Sequence, residues 1–212
     1  VLAIYVSWLG NIPGIAGHLM SASVMSAPAA LVIAKIIYPE QKEVNTNPIK
    51  LEKDNSSINV MDALGNGTIV GLKLAVNVGA MLISFISIIA LVDYFLGMAN
   101  ISIESVLGII FRPLAWTMGI PWDESGVVGS LMGKKIIFTE FVAFADLKTL
   151  IENGQISERA AIITSYALCG FANFGSIGIQ LGGIGGIAPN RRKDIAQLIF
   201  KAMIGGALAS WL

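Results

Sequence analysis

Two stretches of this chain carry no charged side chain at all: Leu74 to Val92 and Ala160 to Asn190. Each supplies the roughly 20 residues that a helix needs to cross a hydrocarbon core of about 30 Å. In lipid the backbone must satisfy its own hydrogen bonds, so runs of this kind without strand alternation predict helices. Composition agrees, since 55% of the residues are hydrophobic and 13% charged, a more apolar balance than a soluble globular domain has. The fold class that follows is an all-α polytopic membrane protein in a lipid bilayer. Its formal net charge of +0 gives no long-range field toward nucleic acid.

The second run is the less regular one. Its core, CGFANFGSIGIQLGGIGGIAPNRR at 169–192, is crowded with glycine and holds Asn173, Ser176 and Gln180. Inside a continuous helix each glycine would cost on the order of 1 kcal/mol relative to alanine. Asn173 and Ser176, three apart, would share one face. Close helix packing through small residues accounts for the glycines without needing the amide or the hydroxyl. An unwound or polar-faced helix lining a site uses all of them.

Elsewhere the pattern divides the chain into segments. Residues 1–38 read as transmembrane helices with the first one truncated, and the small residues of 14–37 predict a position inside a bundle. The charged stretch over 39–59 reads as a polar loop. An interfacial segment over 60–73 leads into the helix that ends near 97. Arg112 and Pro113 interrupt 100–118, an interfacial or approach helix. The basic knot Arg191, Arg192 and Lys193 favours the cytoplasmic side, ahead of a terminal helix over 195–212. The chain opens with Val1 inside one apolar segment and stops inside another, which predicts a fragment of a longer membrane protein.

Glu140, in IIFTEFVAF, has apolar neighbours on both sides. A carboxylate at membrane depth is costly and marks a functional site facing a cavity; the plainer alternative is an interfacial glutamate at a helix end, which the Lys134–Lys135 pair allows. His18 reads as an interfacial polar group, and Arg112 as a side chain that snorkels to the interface. One Cys and one His do not make a metal site of the usual kind. The glycines of GGIGG at 182–186 lack the Lys and Ser/Thr of a phosphate loop.

Several segments taken together, SASVMSAPAALVIAK at 21–35, LAVNVGAMLISF at 74–85, GIPWDESGVVG at 119–129, TEFVAF at 139–144 and CGFANFGSIGIQLGGIGGIAPNRRKDIA at 169–196, resemble the carboxy-terminal half of the concentrative nucleoside transporters. The resemblance implies a homotrimeric, multi-pass protein of the plasma (inner) membrane. Such a protein couples nucleoside uptake to Na+ or H+ by alternating access, with no tightly bound cofactor. It implies a re-entrant helical hairpin over 119–150 with Glu140 near its tip, and an interrupted transmembrane helix over 158–188. By the same resemblance Glu140, Asn173 and Ser176 bind ribose, Phe171 packs against the ligand and Leu74 contacts the base. The first hairpin and most ligands of the coupling ion lie upstream of Val1. An intramembrane enzyme with Glu140 as base, or a structural membrane subunit, stands as the alternative. The first lacks a nucleophile, a His pair or a metal motif.

Overall fold

The computed structural model describes residues 2–40 and 58–212, and every regular element among them is helical. In chain order these are α1 (Leu2–Trp8), α2 (Ile15–Ile37), α3 (Val60–Gly97), α4 (Ile103–Thr117), α5 (Trp122–Ile137) and α6 (Glu140–Glu152). They are followed by α7 (Glu158–Leu168), α8 (Phe174–Ile187), a short 3-10 turn at Pro189–Arg191 and α9 (Arg192–Trp211). The polar loop expected over 39–59 lies, from 41 to 57, outside the described residues.

Local chemistry sets the boundaries. Asn59 accepts from the Asp62 N–H at 2.9 Å to start α3, and Ser102 and Ser105 form a capping box at α4. Gly14 takes a left-handed conformation (φ 71°) at the turn from α1 into α2, where a side chain would be strained. Pro113 sits inside α4 without ending it, so the expected interruption there does not occur.

α2 and α3 are long and apolar enough to cross a membrane. At 1.5 Å per residue α3 spans about 57 Å, more than a hydrocarbon core requires. It runs unbroken through Lys73, so the expected interfacial segment over 60–73 and the crossing helix are one rod. No residue of α3 is buried, and Leu64, Ile83 and Tyr94 are exposed along it. α2 is buried only at Ile15, Leu19 and Ala22. The expectation that 14–37 lies inside a bundle therefore holds for its first turns alone. Further along, α2 runs against α9, where Gly205 faces Ile33 and Ile37.

The core gathers α1, the start of α2, and α5, α6 and α7 around Leu9, Leu19, Met132, Phe144 and Leu147. Two close crossings flank it. On α4 and α5, a Cβ at Gly129 would stand 2.6 Å from the Gly108 carbonyl oxygen and 2.9 Å from the Arg112 nitrogen, so backbone meets backbone. On α8, a Cβ at Gly178 would stand 3.1 Å from the Met81 backbone and one at Gly182 3.2 Å from Asn77. The glycines of α8 thus form a groove in which α3 lies. The Arg112 guanidinium stacks 4.4 Å over the Trp122 ring and joins α4 to the start of α5.

Candidate functional site

α5 and α6 pack as a helical hairpin. Phe138 and Thr139 make the reversal, Thr139 being extended (φ −154°, ψ 160°), and Glu140 is the first residue of α6. Opposite this tip the chain between α7 and α8 is unwound. α7 closes at Leu168, and helix resumes only after Asn173, itself extended (φ −147°, ψ 171°).

Asn173 starts α8 by accepting from the Ser176 N–H at 2.7 Å. Ser176 Oγ in return accepts from the Asn173 N–H at 3.1 Å and donates to the Asn173 carbonyl oxygen at 2.5 Å. Asn173 and Ser176 are therefore a capping box, with donors and acceptors satisfied reciprocally at a helix start. The Asn173 side chain also works outward: its Nδ2 donates to Glu140 Oε2 at 3.4 Å. Tyr5 donates to the other oxygen, Oε1, also at 3.4 Å. Tyr5 is held by stacking on Phe144, with ring centroids 4.2 Å apart.

Glu140, Asn173 and Ser176 are 6%, 1% and 2% exposed. A carboxylate has about four acceptor positions, and two bonds at 3.4 Å are long for good hydrogen bonds. Glu140 thus retains capacity for hydroxyl donors of a ligand. Two adjoining clefts open here, one of about 270 Å3 touching Tyr5 and Glu140, the other of about 240 Å3 touching Ser176 and Gln180. They share Ser26, Gly170 and Phe171, and Phe171 stands 57% exposed between them. A larger cleft of about 480 Å3 runs between α5 and α6 past the Lys134–Asp146 ion pair, away from Glu140.

The structure brings Glu140, Asn173, Ser176 and Phe171 together, but not Leu74. Leu74 Cδ2 would lie 2.7 Å from a Cβ on Gly186, near the far end of α8 and about 20 Å along that helix from Asn173 at 1.5 Å per residue. Tyr5 escapes sequence reasoning because its partner is 135 residues away. The one available signal is a hydroxyl-bearing ring in an otherwise apolar run, which needs a partner when buried. His18 has a partner, its Nδ1 lying 3.1 Å from the Tyr166 hydroxyl. No cluster of three metal-ligating side chains occurs among the described residues.

A helix hairpin tip and a helix break converging on one buried carboxylate is the layout of a secondary transporter's substrate site. The comparisons agree in class and add the family. Residues 18–212 match the family described as "Na+ dependent nucleoside transporter C-terminus", and the chain belongs to it. It is 44% identical to an uncharacterized transporter, YutK, of Bacillus subtilis (strain 168), covering 92% of this chain and 50% of that protein. It is 37% identical to the nucleoside permease NupC of Helicobacter pylori, covering 100% and 52%. Identity is again 37% with the sodium/nucleoside cotransporter 1 of Rattus norvegicus, covering 93% and 34%.

Among solved structures it resembles a CNTnw variant in an outward-facing state (TM-score 0.85, 36% identity, covering 100% of this chain and 51% of that one). It is also similar to CNTnw in an inward-facing substrate-bound state (TM-score 0.74, 38% identity, covering 100% and 51%). The chain thus spans about half the length of most of these relatives and about a third of the rat protein. They are named transporters and permeases rather than enzymes, and the chain is a membrane protein.

Proposed function

We propose that this chain forms the carboxy-terminal half of a cation-coupled nucleoside symporter, working as a multi-pass homotrimer in the plasma membrane by alternating access. Glu140 and Asn173 accept and donate hydrogen bonds to ribose hydroxyls, with Ser176 beside them, and Phe171 packs against the nucleoside. Leu74 faces the base only if α3 and α8 shift along their shared groove. The coupling ion is Na+ or H+, held mostly by residues outside this chain. One observation carries the reading: Glu140 and Asn173, 33 residues apart, are buried together at 3.4 Å where clefts open on both sides of Phe171. A dry carboxylate and amide discriminate strongly for hydroxyls, because a ligand lacking them leaves buried groups unpaired.

The test is uridine uptake by the full-length protein in proteoliposomes. A hydrogen bond to a charged group contributes about 1.5–3 kcal/mol, so Glu140→Gln raises the uridine KM about 10- to 150-fold. Uptake that is unchanged in Glu140→Gln and Asn173→Ala refutes the site. Replacing sodium with choline at two pH values separates the ions, since a proton-coupled protein keeps its uptake and follows the pH gradient.

A further inference from the structure

Lys135 is the most buried charged side chain among the described residues, at 0% exposure. It lies one helical turn before the hairpin tip, yet its contacts are not within the hairpin. Nζ donates to the Ala167 carbonyl oxygen at 2.8 Å and to Ser210 Oγ at 2.6 Å, with the Trp211 ring centroid 6.0 Å away. One ammonium thereby joins α5, the end of α7 and the end of α9.

The last four carbonyls of a helix have no partner within it. At the end of α7 the backbone supplies three: the Cys169 N–H reaches Ser165 and Tyr166, and the Gly170 N–H reaches Leu168. Ala167 is the one left over, and its donor is Lys135. A positive charge is also what the negative end of a helix dipole favours. Gly170 keeps the space clear, since a Cβ there would stand 3.3 Å from Nζ and 3.0 Å from Ser210 Cβ.

We infer that Lys135 is a tethered cation built into the helix break, a positioning residue that holds the hairpin tip and Asn173 in register. It fills the place at an interrupted helix where carbonyl oxygens otherwise gather a free ion, so this break needs no mobile cation of its own. The inference rests on the proposed nucleoside site only for its effect on uptake.

The experiment uses the full-length protein carrying Lys135→Ala, Lys135→Met or Lys135→Arg. Melting is followed without nucleoside, with ethylammonium or choline added. Leaving the Ala167 carbonyl without its donor is destabilising, so Lys135→Ala melts several degrees lower. Ethylammonium, small enough for the vacated space, restores much of that loss, whereas choline does not, and the wild type responds to neither. In uptake, Lys135→Met raises the uridine KM about tenfold or more, as misplacement of the anchors demands, and Lys135→Arg recovers part of it. Wild-type melting and KM in Lys135→Met, or ethylammonium acting no better on Lys135→Ala than on wild type, overturns the inference. A wild-type protein that neither takes up uridine nor is stabilised by it refutes the nucleoside reading instead, and the ethylammonium response still decides Lys135.

Discussion

Asn173 holds two jobs that substitution can separate. Its Oδ1 caps α8 through the Ser176 N–H at 2.7 Å, while its Nδ2 reaches Glu140 at 3.4 Å. Serine caps helices about as well as asparagine, but it is too short to reach the carboxylate. Asn173→Ser therefore keeps the cap and loses the bridge, Ser176→Ala weakens the reciprocal box and keeps the bridge, and Asn173→Ala loses both. A lost cap costs about 0.5–2 kcal/mol, and a buried acceptor left without its donor about 1–3 kcal/mol. Asn173→Ser should thus melt close to wild type in detergent while its uridine affinity falls about 5- to 150-fold. Asn173→Ala should lose both melting temperature and affinity. Scanning fluorimetry and uptake kinetics on the same preparations read the two axes. If Asn173→Ser melts as low as Asn173→Ala, the cap is not what Asn173 contributes. Wild-type affinity in Asn173→Ser means that the Glu140 bridge does not organise the site.

Tyr5→Phe removes a single 3.4 Å bond to Glu140 and keeps the stacked ring; a neutral donor contributes about 0.5–1.5 kcal/mol, so the uridine KM should rise about 2- to 12-fold with little change in melting. Gly178→Ala puts a Cβ 3.1 Å from the Met81 backbone, whereas Gly183→Ala meets nothing within 4 Å. The first should destabilise by about 1–3 kcal/mol through overpacking and the second should be neutral or slightly stabilising, read by thermal melting. Gly129→Ala, with backbone only 2.6 Å away, should be the most damaging alanine of the three and should lower the yield of folded protein in size-exclusion chromatography.

The helical class was legible because two uncharged runs leave few other options. The glycines of 169–192 admit two readings, and the structure uses both: Gly170 stands in unwound chain, and Gly178 and Gly182 form the groove for α3. Asn173 and Ser176 have the same i, i+3 spacing whether they share a helix face or open a helix, so spacing alone does not distinguish a lining from a cap. The change from mixed to apolar residues at Lys73 marks no break in α3, because one long side chain does not interrupt helical hydrogen bonding. What stayed hidden was long-range. Tyr5 and Glu140 are 135 residues apart, and Lys135 and Ser210 are 75 apart. No local pattern distinguishes Lys135, which ends fully buried, from its partly buried neighbour Lys134, which pairs with Asp146.

Two helix starts meet at this site, α6 at Glu140 and α8 behind Asn173. Helix starts of this kind ordinarily draw phosphate. Here the protein has supplied its own anion: Glu140 occupies the first turn of α6 and accepts from Asn173 at the start of α8. A solute that carries a phosphate meets a carboxylate where it needs bare N–H groups, and a neutral one does not. Under the proposed nucleoside reading, the same carboxylate would also set a charge filter that favours a sugar over its phosphate ester.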